Sequence, residues 1–577
     1  TYLSHPFRIC QNKASGGMEV SVDDEVLFSS FSGTGFWKKE GFAMPHPGLH
    51  HDVGSSLGWR RILMLVLVGT LMFLPGIWVM PPIDRDEPRF AQASKQMLET
   101  GDVVDIRFQQ EPRHKKPVAT YWAQAAMVGM LGDDLMDEIG AYRAPSWLFM
   151  VISLLLTAKM GAVLAGPRAG LMAGLMLASF LLVGVEARLA KSDSLLLLSI
   201  LMSMLAVAQI WVRQKPYRFL FYAGLGLGLL TKGPVIFIPV VGTILLLSLY
   251  RGELRWLKPL WVWWGPLVCL GLSAPWYMAI TIKTGGAFFA ESLGKDLGGK
   301  IAQAAERHGA PPGVHILALG LLAWPMTAYV PSLIRRFQVW RHEPFAPFCV
   351  AWFLSVFLVF ELVATKLPHY TLPAYPALAL ALAAVSGRLS PSLAGLGPRL
   401  IVALPPVVIG ASMLGATMVW ALDPLWPLMT VSVLVILLGV VGFIMMRHLK
   451  SRAVIMLLGL SWLVQACVLH LWGPRLDPLW LAPQIAEARE DMSLFCPGPV
   501  GLMGYYEPSA IFLLGTDTAK LSMQELSQFK GLAFVNMENL PQGFMATNNM
   551  QLLDGTVIKG LNLNGGKKVH LQAWCLR

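Results

Sequence analysis

Three apolar runs constrain this chain more than anything else in it: Ile62–Met80, Leu425–Met446 and Ala453–Trp472. Each is long enough to cross a hydrocarbon layer roughly 30 Å thick, which takes about 20 helical residues. Backbone in lipid must satisfy its own hydrogen bonds, so runs of this length fold as helices. Composition agrees, with 55% of the 577 residues hydrophobic and 14% charged, where soluble domains carry about 25% charged residues. An ordinary soluble enzyme, a disordered chain and a disulfide-stapled scaffold are excluded. The chain reads as a polytopic α-helical membrane protein.

Hydropathy predicts thirteen transmembrane helices, at roughly 62–80, 144–164, 168–185, 194–212, 218–231, 234–250, 259–281, 313–333, 345–363, 370–387, 400–421, 425–446 and 453–473. Charge sets their orientation. With the N-terminus inside, the inner connections hold Arg168; Arg213, Lys215 and Arg218; Arg251, Arg255 and Lys258; Arg335, Arg336 and Arg341; Arg388 and Arg399; and Arg447, Lys450 and Arg452. The acids among them are Glu253 and Glu343. Such a Lys/Arg bias in short loops predicts N-in, C-out. The net charge of +11 then reflects loops facing anionic lipid, and no basic, aromatic-interleaved segment points to nucleic acid. Residues 1–58 are polar and aperiodic. They read as a disordered tail or as sequence upstream of a misplaced start, with Met18 or Met44 as the true start.

Two outer segments stand apart from the transmembrane domain, 59–475. The first outer loop, 81–142, is long and dense in charge, and such loops are usually functional. Within it, Phe90, Ala93, Met97 and Leu98 recur at helical spacing opposite Arg89, Gln92, Lys95 and Glu99, which predicts a helix lying on the membrane surface. Residues 476–577 are too polar to span. Short apolar runs (Val500–Met503, Ala510–Leu514, Leu532–Val535, Val569–Trp574) alternate there with turn signals at Leu553-Asp554-Gly555 and Asn564-Gly565-Gly566, predicting a small outer (periplasmic) α/β domain. Cys496 and Cys575 both lie in it and can pair if it is outside the cytoplasm.

The outer side gathers the candidate chemistry. Asp84, Asp86, Glu87 and Arg89 follow the first span, and Lys115 and Lys116 close the next motif before Tyr121-Trp122. Further outer turns carry Asp193, Lys232, and Lys366 with Tyr370. Snorkelling and solvated helix ends account for any one of these charges. Five such turns on one face, where Lys and Arg should be depleted, point to a phosphate ligand. Neighbouring carboxylates suit acid–base or electrostatic work on a polar acceptor. Asp84, Asp86 and Glu87 also suit a divalent ion, but three acids in a loop are common and no metal is assigned. His114, His308 and His369 lack ligand spacing with cysteines and read as surface or packing residues. Gly224, Gly226 and Gly228 lie inside an apolar span and predict close helix packing.

These residues carry a resemblance. Asp86-Glu87-Pro88-Arg89-Phe90-Ala91, Met97-Leu98-Glu99-Thr100-Gly101-Asp102, Lys116-Pro117 and Tyr121-Trp122 resemble, in order and spacing, the first outer loop of GT-C membrane glycosyltransferases that use polyprenyl-phosphate sugars. That superfamily includes protein O-mannosyltransferases, lipid A aminoarabinose transferases and rhizobial galacturonosyltransferases. Thr365-Lys366-Leu367-Pro368-x-Tyr370 is similar to a segment of the lipid A branch. The resemblance covers roughly residues 60–480. It implies a bacterial inner-membrane enzyme that moves a sugar from undecaprenyl phosphate to lipid A or lipopolysaccharide; no cofactor is assigned, with a divalent metal left open. It further implies that Asp86 is the catalytic or acceptor-positioning carboxylate and that Arg89 and Lys116 hold the donor phosphate. Glu87 is a second catalytic candidate. Lys115, Lys232 and Lys366 join the phosphate set, and Asp84, Tyr121, Trp122, Asp193 and Tyr370 complete the candidates. Aminoarabinose transferases tend to have Glu-Lys-Pro where this chain has Lys115-Lys116-Pro117, which argues against a cationic amino-sugar and for a neutral or acidic donor.

The expected chemistry is a single inverting displacement, with the lipid phosphate leaving as cations neutralise it. The prenyl chain is expected in a groove opening to lipid near Tyr121-Trp122. The same chemistry on a protein or another envelope glycan is the main rival. A transporter is a rival of another class, but it should carry ionisable residues and broken helices at midspan, whereas most charges here sit at span ends.

Overall fold

The computed structural model describes residues 56–292, 294, 310–389, 393–447, 452–540 and 550–577. The expectations for residues 1–55 and for His308 lie outside the described residues. Each of the thirteen apolar runs is at least partly helical. Among the described residues, eight stretches are long and apolar enough to cross a membrane, or nine if Val314–Leu322 and Met326–Arg335, bent by 108°, form one span. The chain is a multi-pass membrane protein. Several expected spans fall short for local reasons. Helix α1 (Trp59–Phe73) stops just before Pro75, and the run at 168–185 breaks at the extended Phe180 into α5 (Pro167–Ser179) and α6 (Leu181–Glu186).

Arg218–Arg251 qualifies as one stretch of 34 residues, yet it doubles back. Helix α8 (Arg218–Lys232) lies against α7 (Asp193–Trp211), Gly233–Ile236 turns with Gly233 at φ +61°, and α9 (Phe237–Arg251) returns. Lys232 Nζ meets Asp193 at the first residue of α7 (2.6 Å), while Arg251 Nη2 donates to the Trp211 carbonyl at its last (2.9 Å). A Cβ on Gly224 would stand 2.6 Å from the Ser199 carbonyl oxygen of α7, and one on Gly226 would stand 2.7 Å from the Cys269 oxygen of α10 (Gly265–Thr284). The glycine run is therefore close helix packing, as expected, and it wedges α8 between α7 and α10. That fixes the position of Lys232.

The first long loop folds as α2 (Asp86–Thr100), a hairpin of β1 (Arg107–Phe108) and β2 (Glu111–Pro112), and α3 (Ala119–Leu131), then enters α4 (Ile139–Ala165). Helix α2 starts with Asp86 and Glu87, whose charges suit a helix N-terminus, and ends on Gly101 in the left-handed conformation. Its apolar side is buried as expected, but Gln92 and Lys95 on the polar side are buried too. Gln92 Nε2 donates to Thr516 Oγ1 (2.7 Å), and Lys95 pairs with Asp137. The polar face is thus covered by the C-terminal region.

That region holds helix Leu481–Met492 and a five-stranded mixed sheet of order β4-β3-β5-β7-β6. Strands β3 (Val500–Met503), β4 (Ala519–Lys520) and β5 (Gly531–Asn536) are parallel; β6 (Met550–Leu561) and β7 (Lys568–Leu576) join antiparallel. Three of the four apolar runs are strand, whereas Ala510–Leu514 belongs to helix Pro508–Leu514. The turn signal at Leu553–Gly555 falls instead within β6, where pairing slips between Leu552 and Val557. Cys496 and Cys575 form a disulfide.

One ion pair ties the loop to the bundle. Arg143 of α4 is fully buried, and it donates to both carboxylate oxygens of Glu87 (2.8 Å each), to Ile77 and Met80 carbonyls (2.9 and 2.6 Å) and to Pro81 (2.9 Å). Glu87 also accepts from the Ile83 and Ala190 amides (2.9 and 2.8 Å). Arg143→Met strands a buried carboxylate and should cost about 3–5 kcal/mol, seen as a lower unfolding midpoint in detergent. A variant as stable as the wild type would contradict this role.

Candidate active site

Asp86 is the first residue of α2 and faces a cavity of about 460 Å³ at the loop end of the bundle. Its other polar walls are Arg113, Lys115 and Lys116 from the loop, Lys191, Ser192 and Asp193 at the start of α7, Lys232 at the end of α8, and His369 and Tyr370. The remaining lining is largely apolar, from α7 (Leu196), α8 and α9 (Leu229, Ile238) and the end of helix Phe345–Leu362 (Val359, Phe360). A charged corner opens into a greasy slot.

Two ion pairs anchor the lysines. Lys232 Nζ lies 2.6 Å from Asp193, and Lys191 Nζ 3.1 Å from Glu186. Burial alone would raise the Asp86 carboxyl, but the charges of Arg113 first, then Lys191 and Arg89, outweigh it and hold it below the usual carboxylate range. Burial also disfavours charge on Lys191, yet Glu186, Asp193 and Asp86 more than offset this and keep it an ammonium. Burial pushes His369 down to about 3, so it is neutral and lies edge-on to Tyr370, with ring centroids 5.0 Å apart. Among the described lining residues, the cationic side chains outnumber the carboxylates.

Of the residues singled out in the sequence, Asp86, Lys115, Lys116, Asp193, Lys232 and Tyr370 converge on this cavity. The others do not line it. Glu87 is committed to Arg143. Arg89 lies near enough to Asp86 and Asp84 to act on both charges. Lys366 Nζ donates to the carbonyls of Phe360 (3.2 Å), Glu361 (2.8 Å) and Val363, capping a helix C-terminus. Tyr121 is buried and stacked on Phe90 at 5.0 Å, and Trp122 donates to the Val103 carbonyl (2.7 Å). The apolar slot lies instead between α7, α9 and Phe345–Leu362. Asp84 accepts from Ser509 N (2.9 Å) and Oγ (2.7 Å), pinning the C-terminal region to the loop. The three loop acids thus face different partners, and among the described residues no three ligating side chains gather as for a metal.

Arg113 and Lys191 are cavity residues that the sequence reading did not single out, and His369, read there as a surface or packing residue, also lines the cavity. Arg113 and Lys191 stand within turns already marked by Lys116 and Asp193, so the signal was at hand. His114, read as surface or packing, is buried against Asp105 (2.9 Å) and Phe288.

A loop thus folds over a charged, apolar-walled cavity on a multi-pass helical bundle. The chain has the fold of ArnT from Cupriavidus metallidurans, whose crystal structure bound to undecaprenyl phosphate superposes with a TM-score of 0.68 over 89% of this chain and 97% of that one, at 16% identity. The family model for dolichyl-phosphate-mannose-protein mannosyltransferases matches residues 115–278. Relatives named undecaprenyl phosphate-α-4-amino-4-deoxy-L-arabinose arabinosyl transferase include one from Pseudomonas fluorescens, 29% identical over 55% of this chain and 54% of the relative. Another, from Edwardsiella ictaluri, is 30% identical over 58% of this chain and 60% of the relative. The chain spans little more than half the length of the curated relatives it matches. The resemblance to the GT-C superfamily drawn from the loop motifs is borne out.

Asp84 gives the loop a pH dependence. Burial raises its carboxyl to about 6, with Ser509 pulling the other way. A folded value above the unfolded one stabilises fully below the unfolded value and is lost as pH rises through about 6. Raising the pH from 5 to 7.5 should therefore cost about 1 kcal/mol of stability through this group, and Asp84→Asn should flatten the change in unfolding midpoint. An unaltered pH profile in Asp84→Asn would contradict the assignment.

Proposed function

We propose that the protein transfers a sugar from a polyprenyl phosphate, undecaprenyl phosphate in bacteria, to lipid A or lipopolysaccharide at the outer face of the inner membrane. The observation that carries this reading is the cavity itself, where Asp86 and several lysines stand at the mouth of a slot walled by aliphatic and aromatic side chains. A lipid chain fits the slot and a phosphate fits the lysines. ArnT was crystallised with undecaprenyl phosphate, and the relatives' names specify a donor of that kind.

In this reading Lys116 and Lys232 neutralise the leaving phosphate, with Arg89 acting at longer range. Asp86 directs the acceptor toward the anomeric carbon, on the face opposite the phosphate, and the product has inverted configuration. A carboxylate held below its usual range is a weak base. A donor phosphate that draws on Arg89, which also acts on Asp86, raises its basicity, so the base is strengthened when the donor is in place. For a hydroxyl acceptor Asp86 takes the proton; for an ionised phosphate acceptor it orients. Glu87 serves as a positioning residue, because its oxygens are taken up by Arg143 and two amides. Asp193 holds Lys232.

The topology we propose is N-in, C-out with thirteen spans, several of them short or bent, and with residues 476–577 as a periplasmic domain. The Cys496–Cys575 disulfide supports this, since disulfides persist in oxidising compartments. So does the gathering of Arg218 and Arg251 at the end of the bundle away from the cavity.

The test pairs two variants. Lys116→Ala should bind polyprenyl phosphate at least about 10-fold more weakly, the loss of a charge-assisted contact. Asp86→Asn should retain lipid binding and lose about 100-fold or more in transfer to lipid A in membranes carrying the cell's own donor lipids. Transfer by Asp86→Asn at the wild-type rate would remove the assignment.

A further inference from the structure

We propose that Glu186 is a positioning residue of the donor site: from behind the cavity wall it competes with the donor phosphate for the ammonium of Lys191, and so sets how tightly that phosphate is held. This rests on reading the cavity as a lipid-phosphate site.

Glu186 is the last residue of α6 and is 4% exposed. Lys191 belongs to the described cavity lining, whereas Glu186 stands outside it. Lys191 Nζ lies 3.1 Å from Glu186 Oε1. The other oxygen, Oε2, is buried with no hydrogen-bond partner among the described residues. Ser194 Oγ donates to the Glu186 backbone carbonyl (2.9 Å), not to its side chain.

Glu87 shows what a carboxylate spent on structure looks like in this chain, with both oxygens taken by Arg143 and two amides. Glu186 has one oxygen engaged, by one lysine. A buried carboxylate satisfied this poorly is easily neutralised. Burial first, with Asp193, pushes it up to about 7 against the pull of Lys191 and Lys232.

The surroundings leave Lys191 as the cation in direct contact. Of the elements packed against α6, the turn Pro368–Ala374 brings His369, which is neutral. Val314–Leu322 brings His315, which faces the Leu367 carbonyl (3.1 Å) and Glu361. Helices α5 and Ala453–Ala466 carry no ionisable side chain besides Arg168, at the far end of α5. Arg188 is spent on the Met72, Pro75 and Gly184 carbonyls and on Gln465.

With Glu186 ionised, a phosphate entering the cavity meets an ammonium already matched by the carboxylate behind it. With Glu186 protonated, the same ammonium presents its full charge. An ammonium is a point charge with three rotatable donors, so it can be shared between the two anions without moving the backbone. Phosphate binding and proton uptake at Glu186 therefore favour each other.

The purified full chain in detergent would be titrated with a short-chain polyprenyl methyl phosphate, a diester whose single charge is constant between pH 6 and pH 8. Wild type should bind it at least about 3-fold more tightly at pH 6 than at pH 8. Glu186→Gln should bind at pH 8 as tightly as wild type does at pH 6 and lose the dependence, which separates Glu186 from Asp84. Lys191→Met should weaken binding at least about 10-fold, and adding Glu186→Gln to it should restore nothing. An ion pair that only held the fold would make both single variants weaker or leave them unchanged, so weaker or unchanged binding by Glu186→Gln at pH 8 would overturn the inference. Equal wild-type affinity at the two pH values, a measurement that needs no variant, would also overturn it. Failure of wild type to bind the diester at either pH would instead remove the donor reading on which it depends.

Discussion

The buried guanidinium of Arg143 holds this architecture together at the point where chemistry is expected. A charge inside a helical bundle is costly unless every polar contact is met, and here the fork is fully used on Glu87 and three backbone carbonyls. The same Glu87 accepts from two amides in different segments. One contact set thus fixes the exit of the first helix, the first turn of α2, the body of α4 and the loop before α7 relative to one another. Asp86 is the residue next to Glu87, so its direction into the cavity is a consequence of its neighbour's being locked. The division of labour is physical: of two adjacent carboxylates on one helical turn, one is spent on structure and the other is left facing the ligand space.

The cavity shows a second constraint, the close helix packing behind its walls. Lys232 is brought to the site by a helix hairpin that depends on glycines thin enough to let α8 seat against α7 and α10. The turn after helix Pro508–Leu514 covers the polar side of α2 through Thr516, which meets Gln92 and Glu99, and Ser509 of that helix holds Asp84 just before α2, so the helix that presents Asp86 is supported from both sides. A site built on packed helices rather than on a free loop holds its carboxylate in one geometry, as preorganised electrostatics requires.

Much of this was legible in the sequence, and the rest was not for identifiable reasons. Apolar run length and loop charge marked the helical segments, because both are local. Asp86, Lys115, Lys116, Asp193, Lys232 and Tyr370 were legible because each ends a span or sits in a compact motif on the same side. Glu87 looked equivalent to Asp86 until Arg143, 56 residues away, was seen to claim it. Lys366 looked like a phosphate ligand, yet carbonyls within six residues take its ammonium. The polar face of α2 looked open in the sequence, yet Gln92 on it meets Thr516, more than 400 positions later. Sequence periodicity shows which face is polar but not what covers it. Arg113 and His369 illustrate the same limit, since only the folded chain shows that they share a wall with Asp86.

The central claim is that this cavity moves a sugar onto an envelope lipid through Asp86. Mass spectrometry of lipid A and core oligosaccharide from cells carrying the wild-type gene, no gene, or Asp86→Ala tests it most directly. The account predicts the same mass loss, one sugar residue, in both the deletion and the variant, and the size of that loss names the sugar class. Lipid A and core unchanged by the deletion would contradict the acceptor, and a sugar lost in the deletion but retained in Asp86→Ala would contradict the role of the carboxylate.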